Sequence, residues 1–144
     1  DPATTALPDG PLPRIGADLA GKRVLVVDDI STNRLVAMTY LRLSGVAGEE
    51  ASGGAKALEM IRATPPDLVL LDLHMPEMDG RQTMEAIRAL PAPLSDLPII
   101  AMTADATEAH RRSHLAAGFD GCLTKPLTPE AVAEVLYTHL ARTG

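Results

Sequence analysis

Short apolar runs that end in polar side chains recur along this chain, and they restrict the folds open to it. Val69-Leu70-Leu71 runs into Asp72, and three similar runs end at Asp28-Asp29, at Thr103 and at Lys125. Apolar runs without alternation are typical of strands that are buried on both faces, as in parallel sheets. Open α/β sheets place their chemistry at the carboxyl ends of such strands, so these polar groups are candidate site residues.

Helical periodicity separates the predicted strands. Strands at 22–28, 46–51, 67–71, 98–103 and 119–124 alternate with helices at about 31–44, 54–63, 81–90, 107–117 and 129–141. The second strand contains Gly48, Glu49 and Glu50, a composition poor for a buried strand, and we place it at a sheet edge. The pattern predicts an α/β fold in which a five-stranded parallel sheet carries five helices on its two faces.

Particular residues predict where helices begin and end. Ser31 is the predicted cap of the first helix, and Thr128 followed by Pro129 predicts the start of the last. Gly45 and Gly118 suit the left-handed conformation that ends many helices.

The first twenty residues differ from the rest of the chain. Residues 1–20 contain four prolines and two glycines without sustained periodicity, which predicts an extended or flexible linker ahead of one domain at 21–144. The chain begins at Asp1 with neither a methionine nor a signal-peptide pattern. This beginning indicates either processing or a segment excised from a larger protein, and it favours excision.

Composition and charge narrow the function classes. A chain of 144 residues with 46% hydrophobic content can close one ordinary core. The net charge of -6 lacks a basic stripe, which argues against a nucleic-acid partner. No apolar run approaches the roughly 18 to 20 residues that span a bilayer, and a single cysteine cannot form an internal disulfide. We expect a cytoplasmic domain without direct membrane contact, whether or not its parent protein is attached to a membrane.

Four motifs at predicted strand ends together resemble a known family. In chain order they are Asp28-Asp29, Asp72 with Met75-Pro76-x-Met78-Asp79-Gly80, Thr103-Ala104 and Lys125-Pro126. Their order and spacing are similar to those of the phosphoacceptor receiver domain of two-component signalling, over residues 21–142. The resemblance implies a flavodoxin-like sheet of order 2-1-3-4-5, which brings Asp28, Asp29 and Asp72 together.

The resemblance also implies a metal site. Three carboxylates in one cleft repel one another, and oxygen ligands without a nearby cysteine pair suit Mg²⁺. By similarity to the family, Asp29 and Asp72 are expected to bind the metal directly and Asp28 through water. The main-chain carbonyl of His74 is expected to complete the protein's share of the ligands.

The same resemblance assigns roles in phosphoryl transfer. Asp72 is expected to act as the nucleophile and to accept a phosphoryl group from a phosphohistidine. Lys125 is expected to pair with one phosphoryl oxygen, and Thr103 to donate a hydrogen bond to another. The side chains of His74 and Asp105 flank the expected approach of hydrolytic water, so we expect them to tune dephosphorylation.

Further residues are similar to those of one branch of the family. Residues 19–29 with Thr32-Asn33-Arg34, and residues 102–104 with 115–118, resemble receivers attached to hybrid sensor histidine kinases. This implies a histidine kinase or histidine phosphotransfer domain as partner, and an isolated domain that is monomeric. Such a domain supports its own phosphotransfer and slow dephosphorylation without being a turnover enzyme by itself, and its parent would be a histidine kinase.

The first helix is expected to dock the partner. Ile30, Arg34 and Met38 follow i, i+4, i+8 spacing with Ala37 alongside, beside the paired acids. On this interpretation the core-facing residues of the helix are Val36, Tyr40 and Leu41.

One position departs from the family pattern. Cys122 lies three residues before Lys125, where receivers usually carry an aromatic side chain that swings inward on phosphorylation. Cysteine is too small to occupy both the outer and the inner position. We therefore expect phosphorylation to leave the surface made by the fourth helix, fifth strand and fifth helix largely unchanged, without strong dimerisation.

Other interpretations of the same residues stay open. Asp28 and Asp29 could cap a helix, Asp72 could open a turn, and Thr103 and Lys125 could be an ordinary strand residue and a surface charge. The alternative function is a degenerate receiver that acts as a phosphorylation-independent interaction module.

Two other function classes and a histidine metal site are disfavoured. An aspartate-nucleophile phosphatase would carry a second aspartate where this chain has His74, and a flavin protein would carry a phosphate-cradling loop after its first strand. His110 and His114 have the i, i+4 spacing of a metal pair, yet no third ligand is apparent, so a solvated helix face is the better interpretation.

Overall fold

A computed structural model describes residues 21–75, 78–104 and 107–140. Five parallel strands form one sheet in the order β2-β1-β3-β4-β5, as predicted. The strands are β1 (Arg23–Val27), β2 (Ala47–Ala51), β3 (Leu68–Asp72), β4 (Ile99–Thr103) and β5 (Gly121–Thr124). The helices are α1 (Ser31–Leu43), α2 (Gly54–Ala63), α3 (Gly80–Arg88), α4 (Glu108–Ala117) and α5 (Pro129–Leu140), with a short 3-10 turn at Leu94–Asp96. The predicted linker at 1–20 lies outside the described residues.

The sheet is covered on both faces because its central strands are apolar at nearly every position. In β1, Val24 and Val26 contribute to the core beneath α1 and α5, whereas Leu25 and Val27 contribute to the core beneath α2 and α3. Every residue of β3 and β4 is buried. This two-sided burial explains why the strands appear in the sequence as continuous apolar runs.

The predicted edge position of β2 is confirmed. This strand pairs with β1 alone in the sheet order, and its residues Ala47 and Glu50 are exposed. An edge strand tolerates glycine and glutamate because one side of its backbone faces away from the sheet.

The residues predicted at helix ends are confirmed except at the start of α1. Thr128 Oγ1 accepts a hydrogen bond from the Ala131 amide at 3.1 Å, and Gly45 and Gly118 have φ angles of 87° and 132°. The prediction that Ser31 caps α1 is wrong, because Ser31 is already the first helical residue and no side chain caps this end.

The turn before α1 uses Asp28 instead of a cap. The Ile30 amide donates a hydrogen bond to Asp28 Oδ1 at 2.9 Å, which closes a tight turn between the strand and the helix. One carboxylate oxygen of a candidate site residue therefore also holds the local backbone.

Among the described residues, no helix combines the length and the apolar composition that a membrane span requires.

Candidate functional site

The paired strands β1 and β3 bring the three acids together. Val27 pairs with Leu71, so Asp28 and Asp72 emerge side by side at the carboxyl edge of the sheet. Carboxylate oxygens of Asp28, Asp29 and Asp72 lie within 4.8 Å of one another. Asp28 and Asp72 are buried, with 1% and 2% exposure, whereas Asp29 is exposed. The predicted convergence of these side chains is confirmed.

Lys125 reaches the acids from the far side of the sheet. Its ammonium donates to Asp72 Oδ1 at 2.9 Å and to Asp28 Oδ2 at 3.3 Å. The Lys125 amide donates to the Thr103 carbonyl at 2.8 Å, which fixes the loop after β5 against the end of β4. Three carboxylates against this one ammonium give a cluster with an excess of two negative charges when all are ionised, which suits a divalent cation.

Thr103 and His74 both lie near Asp72, and the roles expected of them stay predictions. Asp72 pairs with Met102 across β3 and β4, so Thr103 lies one residue further along the neighbouring strand, where it is buried. The His74 amide donates to Asp72 Oδ1 at 3.3 Å, and its side chain is exposed. The turn after β3 therefore wraps closely around the Asp72 carboxylate. Asp105 lies outside the described residues.

The electrostatics of the cluster are dominated by burial. Burial raises the pKa of the Asp72 carboxyl above its ordinary value, and the Asp28 charge adds to the rise, although the hydrogen bond from Lys125 opposes it. Burial alone would lower the pKa of Lys125, but its bonds and its attraction to Asp72 and Asp28 outweigh this and raise it. Ionisation of the Asp72 carboxyl therefore destabilises the folded state when no metal is bound.

A stability test follows from the raised pKa of Asp72. A carboxyl whose pKa is higher in the folded state destabilises that state once it ionises, so its cost grows as pH rises from the unfolded pKa and is complete above the folded pKa. We expect Asp72→Asn to raise the melting temperature of the metal-free domain at pH 7. The gain should vanish at a pH well below the ordinary aspartate pKa of about 3.9, where both states are protonated. Melts of both proteins in a chelating buffer across pH provide the measurement, and an equal or lower melting temperature for Asp72→Asn at pH 7 contradicts it.

The predicted docking residues on α1 need correction. Ala37 is fully buried and Met38 is partly buried against the core, with its sulfur packed over Gly48 of β2. The Arg34 side chain turns toward Glu50 and is only 17% exposed. Of the predicted set, Ile30 remains well exposed, at 51%.

The exposed apolar face of α1 lies elsewhere on the helix. Leu35, Val36 and Leu43 are 62%, 37% and 48% exposed, so the prediction that Val36 faces the core is wrong. Val36 also lines a cleft beside Asp28 and Lys125. Leu35, Val36 and Leu43 share one side of the helix, so their spacing could have indicated this face. Apolar residues at similar spacing also lie on the opposite side, and the sequence alone does not show which side faces the core.

Two secondary predictions can be placed in the structure. Cys122 is partly buried and packs against the core cluster beneath α2 and α3, and burial raises the pKa of its thiol. The effect of Cys122 on switching stays a prediction.

The histidines of α4 contact neighbouring side chains. His110 contacts the Thr107 hydroxyl at 2.8 Å, and the His114 ring packs edge-on against Phe119 with ring centroids 6.0 Å apart. Within the part of the chain that the structure describes, these histidines belong to no cluster of three ligating side chains.

The fold and the acid cluster together define a class of signalling domain. The sequence matches the family described as response regulator receiver domain over residues 24–137, and the chain belongs to that family.

Relatives and structural neighbours agree with this assignment. The chain is 43% identical over 133 residues to the sensor protein GacS of Pseudomonas syringae pv. syringae, and 40% identical over 119 residues to the sensor protein EvgS of Escherichia coli K12. The alignments cover 88% and 83% of this chain but only 15% and 9% of those much longer proteins. The chemotaxis protein CheY4 of Vibrio cholerae superposes with a TM-score of 0.74 at 30% identity, over 84% of this chain and 100% of the other.

Proposed function

We propose that this receiver accepts a phosphoryl group from a phosphohistidine onto Asp72 in a Mg²⁺-dependent reaction. The observation that carries the proposal is the contact of Lys125 with Asp72 inside a cluster of three carboxylates. Asp72 is buried at the base of that cluster, and hydrogen bonds from His74 and Lys125 orient its Oδ1 atom. A nucleophile held in this way needs no large rearrangement to attack.

The donor set fits Mg²⁺. Its side-chain ligands are all oxygens, they approach within 4.8 Å, and they carry the excess negative charge that a hard cation balances. Asp29 and Asp72 would hold the ion directly, Asp28 through water, and the His74 carbonyl from the main chain. When bound, Mg²⁺ neutralises charge on the phosphoryl oxygens.

The remaining groups of the site fit the transfer step. A carboxylate oxygen of Asp72 attacks phosphorus, the new oxygen–phosphorus bond forms, and the phosphorus–nitrogen bond to the donor imidazole breaks with its electron pair on nitrogen. The Lys125 ammonium, already 2.9 Å from the nucleophile, moves its hydrogen bond to a phosphoryl oxygen. The Thr103 hydroxyl donates to another oxygen.

The relatives favour a receiver attached to a hybrid sensor kinase. GacS and EvgS are named as sensor proteins, and this chain matches a small part of each. We therefore propose that the domain exchanges phosphoryl groups with a histidine kinase or a histidine phosphotransfer domain in the cytoplasm. The degenerate receiver is the competing function, and a failure of Asp72 to be labelled would support it.

We propose the outer face of α1 as the docking surface for that partner. Leu35, Val36 and Leu43 form this face, and Val36 continues into the cleft at Asp28. A helical donor seated on this apolar face would hold its histidine near Asp72. This face replaces the predicted docking set, because Ala37 is buried in the core and Met38 is partly buried against it.

Leu35→Glu is expected to slow transfer from a protein donor at least about tenfold while leaving labelling by acetyl phosphate unchanged. The substitution places a charge where an apolar contact would be buried, at a typical cost of about 1.4 kcal/mol, which corresponds to the tenfold loss. Leu115→Glu on α4, where the leucine is 36% exposed, is the matched control and should leave both rates unchanged. Equal losses in both assays for Leu35→Glu would indicate damage to the site instead of the interface.

Phosphoryl lifetime is proposed to depend on His74 and Asp105. The exposed His74 side chain follows Asp72 by two residues. Alanine at both positions should change the decay rate of the labelled domain without reducing its final extent of labelling. An unchanged decay rate would rule this role out.

A further inference from the structure

Two arginine–glutamate ion pairs tie the edge strand β2 to the rest of the domain, and they lie at different distances from the acid cluster. Arg23, at the start of β1, pairs with Glu49 at 2.9 Å. Arg34, on α1, pairs with Glu50 at 2.9 Å. Arg34 differs because its second arm continues into the site, where Nη1 donates to the main-chain carbonyl of Asp28 at 2.6 Å.

The carbonyl that Arg34 holds belongs to the peptide group between Asp28 and Asp29. Because the peptide is planar, holding its carbonyl restricts the position of the Asp29 Cα, and φ of Asp29 is then the one soft backbone dihedral between this plane and the side chain. The same segment is held from its other side, since the Asp28 amide donates to the Ala51 carbonyl of β2 at 3.2 Å. The edge strand therefore anchors the main chain at Asp28 twice, once directly and once through Arg34.

Asp29 needs such an anchor more than the other acids do. Asp28 is buried and its carboxylate bonds to Ile30 and Lys125, while Asp72 bonds to His74 and Lys125. The Asp29 side chain is exposed and lies at the outer side of the cluster. Its position depends on the backbone that carries it.

We propose that Arg34, braced by Glu50, is a positioning residue that presents the Asp29 carboxylate to Mg²⁺; this inference rests on the proposed metal site. The positive charge of Arg34 has the opposite effect on Mg²⁺ affinity, because a cation near the cluster repels Mg²⁺. Positioning and charge thus predict opposite signs for the effect of removing Arg34. The sign of the change in metal affinity separates them.

Arg34→Met keeps an unbranched aliphatic stem and removes the guanidinium. We expect it to raise the Mg²⁺ dissociation constant about tenfold, the lower end of the effect of losing a group that orients a metal ligand. Titration calorimetry with MgCl₂ on the whole chain gives the affinity, and the Mg²⁺-dependent shift in melting temperature gives an independent measure. Arg34→Lys, which keeps the charge but cannot span both acceptors, should show a similar loss.

Arg23→Met is the matched control. It removes the equivalent ion pair from β2, at the end of the sheet away from the acids. It is expected to lower the melting temperature in the absence of Mg²⁺ while leaving the dissociation constant unchanged. A loss of affinity in Arg34→Met that Arg23→Met does not share therefore reports positioning and not a loosened edge strand.

Each remaining outcome is decisive. Mg²⁺ binding by Arg34→Met that equals or exceeds that of the wild type overturns the positioning role but leaves the metal site standing. A wild-type chain that binds no Mg²⁺ overturns the metal site itself and the inference with it. If Arg34→Met does not fold, Arg34→Lys decides alone, because its charge is unchanged and a loss of Mg²⁺ affinity in it reports the lost span between Glu50 and the Asp28 carbonyl.

Discussion

Asp72→Asn is expected to abolish phosphoryl labelling of this domain. Wild-type protein treated with acetyl phosphate and Mg²⁺ should gain one phosphoryl group per chain, visible in its intact mass, and the variant should gain none. The reason is chemical, because an amide offers no anionic oxygen to attack phosphorus. Asn fills nearly the same volume as Asp and can still accept a hydrogen bond from Lys125, so the loss should occur in a folded protein.

Removal of Mg²⁺ should reduce labelling of the wild type in the same assay. Without the ion, the incoming phosphoryl group meets the negative charge of Asp28, Asp29 and Asp72, which Lys125 offsets only in part. Within the metal site, Asp29→Ala is expected to weaken Mg²⁺ binding more than Asp28→Ala, as direct and water-mediated ligands would differ. Full labelling of Asp72→Asn would show that another residue accepts the phosphoryl group. Absence of labelling in the wild type would favour the degenerate receiver.

Gly80→Ala is expected to destabilise the fold and to disturb the phosphoacceptor together. Gly80 begins α3, and a Cβ placed on it would overlap the main-chain oxygen of Asp72 and lie 2.7 Å from Cα of Leu73. Both neighbours are backbone atoms, so the clash is relieved only by moving α3 away or by shifting the strand end that carries Asp72. Overpacking of this kind typically costs about 1–3 kcal/mol, and we expect the upper part of that range.

The measurement is denaturant unfolding combined with the labelling rate from acetyl phosphate. Gly53→Ala is the matched control, because Gly53 precedes α2 with an extended φ of -177°, and no atom of the described residues beyond its chain neighbours lies within 4 Å of the place its methyl group would take. It should change stability by no more than about 0.5 kcal/mol. A Gly80→Ala protein as stable and as rapidly labelled as the wild type would show that the turn after β3 yields easily.

The sequence alone determined the sheet and the acids at its edge. Each of Asp28, Asp72, Thr103 and Lys125 lies at the end of a run that the sequence predicts as a strand, and the position of a residue at a strand end is a local property that the chain itself displays. The edge position of β2 was equally predictable, since the glutamates of a strand need solvent on at least one side. Once the strand order is given, the meeting of the acids follows from the topology.

Only the tertiary structure decided which residues of α1 face outward. The helix carries apolar side chains around most of its circumference, so its periodicity fits more than one rotation about its axis, and the packing of Ala37 and Leu41 against the sheet selects one. The contacts of Arg34 with Glu50 and with the Asp28 carbonyl, and of Gly80 with the Asp72 backbone, join residues that belong to different elements. Local preferences cannot encode such contacts, because they exist only after the helices have docked on the sheet and their side chains compete for the same space.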